Sequence, residues 1–104
     1  MKKVIGKKLY NTEKAEEVFA WENAYYPSDF HYCAETLFRT KKGAWFLYGR
    51  GGALSCYRVS SGSNFLTGSQ NIMALDENEA YEWLERHANA ETIERYFPER
   101  IEEA

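Results

Sequence analysis

Histidine, cysteine and proline are all scarce in this chain, with two of each in 104 residues. The scarcity bears first on chemistry. General acid–base catalysis near neutral pH draws most often on histidine. His87 falls on the apolar stripe of a predicted helix and reads as a histidine at the edge of the core. His31, Cys33, Cys56 and His87 would make a four-ligand set, but the short paired spacings of structural zinc are absent. A nucleophile built from His31 and either thiol would need a helix start beside the cysteine to lower its pKa, and neither cysteine has one. The chain is therefore expected to be non-enzymatic, with no metal and no cofactor.

Long apolar runs are missing too. The start, Met1-Lys2-Lys3-Val4-Ile5-Gly6-Lys7-Lys8, is positive but leads into no apolar stretch, and nothing approaches the roughly 18 residues of a membrane span. A cytoplasmic location is expected, with both cysteines packed as free thiols. Aromatic residues are plentiful, with 8 Tyr, 6 Phe and 3 Trp in a chain that is 44% apolar. Such residues bury the most area each, so one domain over residues 1–104 can hold a core without staples.

Capping and periodicity place the elements. Asp76 and Glu79 form a capping box, Leu75 and Ala80 a hydrophobic staple, and Ala80, Trp83, Leu84, His87 and Ala88 one apolar stripe. A helix is predicted over 77–88, with Glu82 and Arg86 paired outside. Ile93, Tyr96 and Phe97 predict a second, shorter helix ending at Pro98, before a charged, frayed tail. Residues 36–40 and 45–48 are rich in β-branched and aromatic side chains and flank Lys41-Lys42-Gly43-Ala44, which predicts a hairpin. Residues 70–75 add a strand after a Ser/Gly loop over 60–69. At the front, Asn11 or Thr12 caps a short helix over 13–17 that passes into a strand, before a turn at Tyr25-Tyr26-Pro27-Ser28-Asp29. Val4-Ile5 and Leu9-Tyr10 make a small ribbon at the sheet edge. Gly49-Arg50-Gly51-Gly52 lacks the Lys-Ser/Thr pair of a phosphate loop and reads as a chain reversal or bulge. The expected fold is α+β, a small antiparallel sheet of three to four strands with a central hairpin, packed against two C-terminal helices.

Charge divides unevenly along this plan. Residues 1–75 carry ten basic against six acidic side chains (+4) and residues 76–104 three against ten (−7), together the chain's −3. Two surfaces follow. Glu82, Glu85, Glu91 and Glu94 offer a negative helical face able to dock on a basic groove. Capping and solubility explain much of that charge, though −7 over this segment exceeds what capping requires. Arg39, Lys41, Lys42 and Arg50 surround an aromatic hairpin that could instead hold nucleic acid, although the acidic pI of about 5.4 misses the usual basic footprint.

Gly6-Lys7-Lys8-Leu9-Tyr10-Asn11-Thr12, the run from Asp29 to Ala53 that contains Trp45-Phe46-Leu47-Tyr48-Gly49-Arg50-Gly51-Gly52, and the Leu75–His87 helix carry a resemblance. Over nearly its whole length the chain resembles a family of small proteins encoded by phages, plasmids and integrative elements of Firmicutes. The resemblance brings no catalytic residues. Where the family has an acidic residue before the glycine pair, this chain has Arg50, which reverses the local charge. It implies an accessory protein against host defence, of the anti-CRISPR type, whose partner is a host protein in a CRISPR–Cas or other nucleic-acid-processing complex. Such an effector holds its nucleic acid in a positive channel that an acidic face would suit. The leading expectation is a protein-binding inhibitor, and the alternative a nucleic-acid-binding accessory protein.

Overall fold

The computed structural model describes residues 1–53, 55–60 and 66–104. It is an α+β fold with a four-stranded antiparallel sheet at its centre. The strands in chain order are β1 (Lys2–Ile5), β2 (Lys8–Asn11), β3 (Glu16–Glu22), β4 (Cys33–Arg39), β5 (Trp45–Gly51), β6 (Val59–Ser60), β7 (Leu66–Thr67) and β8 (Ser69–Leu75). They are followed by α1 (Glu77–His87) and α2 (Ala90–Tyr96). The central sheet runs β3-β4-β5-β8, while β1-β2 and β6-β7 form separate two-stranded ribbons.

The β4-β5 hairpin forms as its sequence dictates. Arg39 pairs with Trp45, Gly43 takes a φ of +88°, and Thr40 closes the turn through its amide on the Ala44 carbonyl at 2.8 Å. Alternation along the strands then sends side chains to opposite faces. On one face Leu37, Trp45 and Leu47 meet Ala80, Trp83 and Leu84 of α1 and Phe97 after α2. Trp45 stacks on Phe97 with ring centroids 5.2 Å apart. On the other face Phe38, Phe46 and Ile72 are covered by Tyr10. Each fully buried side chain of this size stabilises the fold by about 1.5–3 kcal/mol.

Several expectations change. The β1-β2 ribbon sits beside the edge strand β8, where Lys3 bonds Asn71, but it does not join the sheet; Tyr10 folds over the face onto Phe46 and Ile72. Gly6 and Lys7 both adopt positive φ in its turn, at +57° and +68°, the geometry of a type I′ hairpin. Residues 13–17 are not helical. Asn11 accepts the Glu13 amide on its side chain and the Lys14 amide on its carbonyl, and the turn leads directly into β3. A bulge between Glu17 and Phe19 turns Val18 and Phe19 both towards the helices, which mimics helical spacing in the sequence.

The Gly49–Gly52 run is extended as far as Gly51, and the reversal comes only at its end, where the Gly52 carbonyl accepts the Ser55 amide at 3.1 Å. Gly49 and Gly51 are paired residues inside β5, opposite Glu35 and Cys33 of β4. Of the loop expected over 60–69, Ser60 and residues 66, 67 and 69 lie in strands, and residues 61–65 lie outside the described residues.

The helices match their signals. Asp76 accepts the Glu79 amide at 2.7 Å while Glu79 accepts the Asp76 amide at 2.9 Å, which completes the capping box. Asn89 caps α2 through the Thr92 amide. Glu82 accepts from Asn78 rather than pairing with Arg86. The tail does not fray at once: Pro98–Arg100 forms a 3₁₀ turn, with Arg100 over the Tyr81 and Phe97 rings.

Candidate functional site

The acidic helical layer follows from the way α1 and α2 dock. Burying Ala80, Trp83, Leu84 and Phe97 against the sheet leaves the opposite side of both helices in water. Glu82, Glu85, Glu91 and Glu94 are all exposed, as are the other six carboxylates of residues 76–104. Among the described residues the ion pairs are His31 with Asp29 at 3.2 Å and Arg95 with Glu16 at 3.9 Å, and neither uses a carboxylate of this segment. Arg95 reaches back to β3, and Arg100 is engaged with Asn78 and two rings. Among the described residues, then, no carboxylate of the layer is in an ion pair with Arg86, Arg95 or Arg100, and the segment keeps its excess of seven negative charges.

The basic hairpin set is scattered. Arg39 lies over Trp45 on the helix face at the turn end of the hairpin, 5.1 Å from the ring centroid. Arg50 projects from the opposite face, five paired positions away, roughly 17 Å along the strand. Lys41 and Lys42 sit exposed in the turn. Phe38 and Phe46, two of the aromatics of that hairpin, are stacked on each other at 5.1 Å and buried beneath the ribbon, out of reach of a base.

Arg50 instead borders a trough that sequence reasoning missed. The ribbon covers only part of the sheet face, and on the rest two adjoining hollows of about 430 and 340 Å³ share Tyr32, Tyr48 and Arg50. Ala20 and Ala34 keep its floor low. The Tyr32 hydroxyl donates to Glu22 at 2.7 Å, and that bond, with burial, raises the phenol above its ordinary pKa. Tyr48 donates to Gln70 at 2.7 Å. Arg50 lies 5.7 Å from the Tyr32 ring centroid. The trough sets the Arg50 guanidinium and the Glu22 carboxylate on the same lining, beside Tyr32. The alternation of small residues at 20, 34 and 36 was its only trace in the sequence.

The histidines and cysteines separate. His31 bonds Asp29 in an exposed loop and stacks on Tyr25 at 5.3 Å. His87 lies between Trp21 and Trp83, with ring centroids 4.2 and 5.0 Å away, and burial lowers its pKa. The two thiols meet at 3.2 Å. Among the described residues no three His, Cys, Asp or Glu side chains converge as a metal site would require. Next to the thiols, Glu35 accepts from the Trp83 indole at 3.1 Å and from the Tyr57 hydroxyl. Burial and that bond push the Tyr57 phenol upward.

No helix among the described residues is long and apolar enough to cross a membrane. Comparison of the chain with protein-family models, with characterised proteins and with solved structures finds no match.

Proposed function

We propose that the protein is a non-enzymatic binding module that inhibits a host defence nuclease complex of the CRISPR–Cas type by docking the acidic face of α1 and α2 on a basic groove. The observation that supports this reading is the set of ten exposed carboxylates over residues 76–104, none in an ion pair among the described residues. Charges left free in this way give an interface its orientation and association rate. The mobile-element resemblance supplies the partner class, since an effector of this kind holds nucleic acid in a positive channel.

The alternative, nucleic acid bound by the hairpin, draws less support because Arg39 and Arg50 occupy opposite faces of the sheet. A mobility-shift assay at low salt decides it, and the expected result is no shift.

The main test adds the protein to a reconstituted RNA-guided nuclease and follows target cleavage. Cleavage falls with rising wild-type protein, and the combined variant E82Q/E85Q/E91Q/E94Q inhibits about tenfold less well at low ionic strength. Unchanged cleavage with wild-type protein overturns the inhibitor reading, and equal inhibition by both proteins overturns the acidic face.

A further inference from the structure

We propose that Cys33 and Cys56 form a reversible dithiol–disulfide site, in which Cys56 reacts with low-molecular-weight disulfides and Cys33 resolves the product. The site is independent of the acidic helical face and of any partner it binds.

Proximity comes first. The two Sγ atoms lie 3.2 Å apart, although 23 positions separate them in sequence. A disulfide needs roughly 2 Å, so closure takes about 1 Å of movement.

The approach is held from both sides. Cys33 is the first residue of β4, fixed by pairing with Gly51 of β5. Cys56 lies in the segment that crosses β5 over Gly49 and Gly51, where a Cβ would collide with Tyr57 and Ser55. Ser55 is anchored by its hydroxyl on the Gly52 carbonyl at 2.8 Å, and Tyr57 by its hydroxyl on Glu35. Cys56 stands between these two anchors. Its Sγ is presented to Cys33 before any reaction occurs, which favours the intramolecular step over release or a second external attack.

The two thiols differ in the way a reacting pair requires. Cys56 is exposed, whereas Cys33 is buried with 6% of its surface accessible. Burial, and then the hydrogen bond to Cys56, raise the Cys33 thiol above its ordinary range, which disfavours it for the first attack; the part due to Cys56 is removed once Cys56 carries RS. Among the described residues no third ligand converges on the pair, and two sulfurs alone suit disulfide chemistry better than the four ligands of structural zinc.

The reaction balances with a disulfide RSSR as oxidant. The Cys56 thiolate attacks one sulfur, an S–S bond forms between Cys56 and RS, and the other RS⁻ leaves and takes up the proton that Cys56 lost. Cys33 then loses its proton and attacks the Cys56 sulfur, displacing the second RS⁻, which is protonated in turn. Two protein thiols are oxidised by two electrons, and RSSR becomes two RSH.

The test incubates the reduced protein with oxidised glutathione and follows intact mass. Wild type loses two hydrogens and retains no glutathione, and dithiothreitol restores the starting mass. Cys33→Ser accumulates one stable glutathione adduct, while Cys56→Ser reacts about tenfold more slowly because its remaining thiol is buried. Circular dichroism shows that both variants are folded. As a second probe, phenylarsine oxide protects both thiols of the wild type together at one equivalent. A persistent glutathione adduct on wild type, equal reactivity of the two variants, or no loss of hydrogens overturns the proposal.

Discussion

Replacing Gly49 with alanine puts a methyl group where the Tyr57 ring lies. Gly49 is a paired residue in the middle of β5, held on one side by Glu35 of β4 and on the other by Asn71 of β8. The strand cannot yield without breaking register, so Tyr57 must. Tyr57 is 7% exposed, and expelling its ring returns on the order of 150–250 Å² to water. At about 25 cal/mol per Å² that would cost about 4–6 kcal/mol. Partial accommodation by small shifts lowers the figure, since overpacking a site typically costs about 1–3 kcal/mol. The expected destabilisation of Gly49→Ala is about 2–3 kcal/mol, measured by urea unfolding under reducing conditions.

A double-mutant cycle tests the cause. Tyr57→Ala alone should cost about 3–5 kcal/mol, as large-to-small core changes do. In that background the added methyl meets open space, and Gly49→Ala should cost within about 0.5 kcal/mol of nothing. Equal destabilisation in both backgrounds would show that the glycine serves the strand backbone and not the Tyr57 ring. A cost below about 0.5 kcal/mol in the wild-type background would refute the close approach altogether.

Lys7 holds a φ of +68° in the β1-β2 turn, so Lys7→Asn should stabilise the fold by about 0.5–1 kcal/mol in thermal unfolding, and a loss would contradict the type I′ geometry. Asp76→Ala removes the acceptor for the Glu79 amide and should cost about 1 kcal/mol, whereas Asp76→Asn should retain most of it. His87 is faced by Glu35, Arg86 and the rings of Trp21 and Trp83, and burial holds its pKa below the ordinary 6.5. Between that lowered value and about pH 6.5 the unfolded chain binds a proton that the folded one refuses, so stability falls as pH falls through this window. His87→Gln should remove that part of the slope in unfolding curves, and an unchanged slope would place its origin elsewhere.

The elements that the sequence discloses are those whose signals are local. The capping box at Asp76 and Glu79, the stripe from Ala80 to Ala88 and the turn at Gly43 each concern residues within a few positions of one another. The front of the chain misleads because one inserted residue changes the period: the bulge beside Phe19 places two neighbours on the same face, as a helix would. The glycines of β5 mislead for a different reason. Their spacing of two marks one face of a strand, but what lies on that face is a segment that returns from beyond the strand end. The dithiol was hidden for the same cause, since neither thiol's position is set by the residues around it in sequence. The hairpin cations show the limit of composition: clustered in the chain, Arg39 and Arg50 are separated by the sheet itself.

That separation also explains how a chain with a net charge of only −3 can present a strongly negative surface. The helices cover the Leu37 and Trp45 face, and the lysine-rich ribbon covers the Phe46 face. Lys2, Lys7 and Lys8 are exposed on that ribbon, while Lys3 bonds Asn71 at 2.6 Å. Packed layers stand about 10 Å apart, so the ribbon cations and the helix carboxylates are separated by two such spacings. At physiological salt this exceeds the screening length of about 8 Å, and the two sets do not cancel. In the proposed docking a partner approaching α1 and α2 would meet the local −7 of residues 76–104 rather than the molecular −3, and reversing the ribbon charges would leave that encounter unchanged. Salt dependence of binding that follows the helix carboxylates, and is indifferent to Lys2, Lys7 and Lys8, is the signature this arrangement requires.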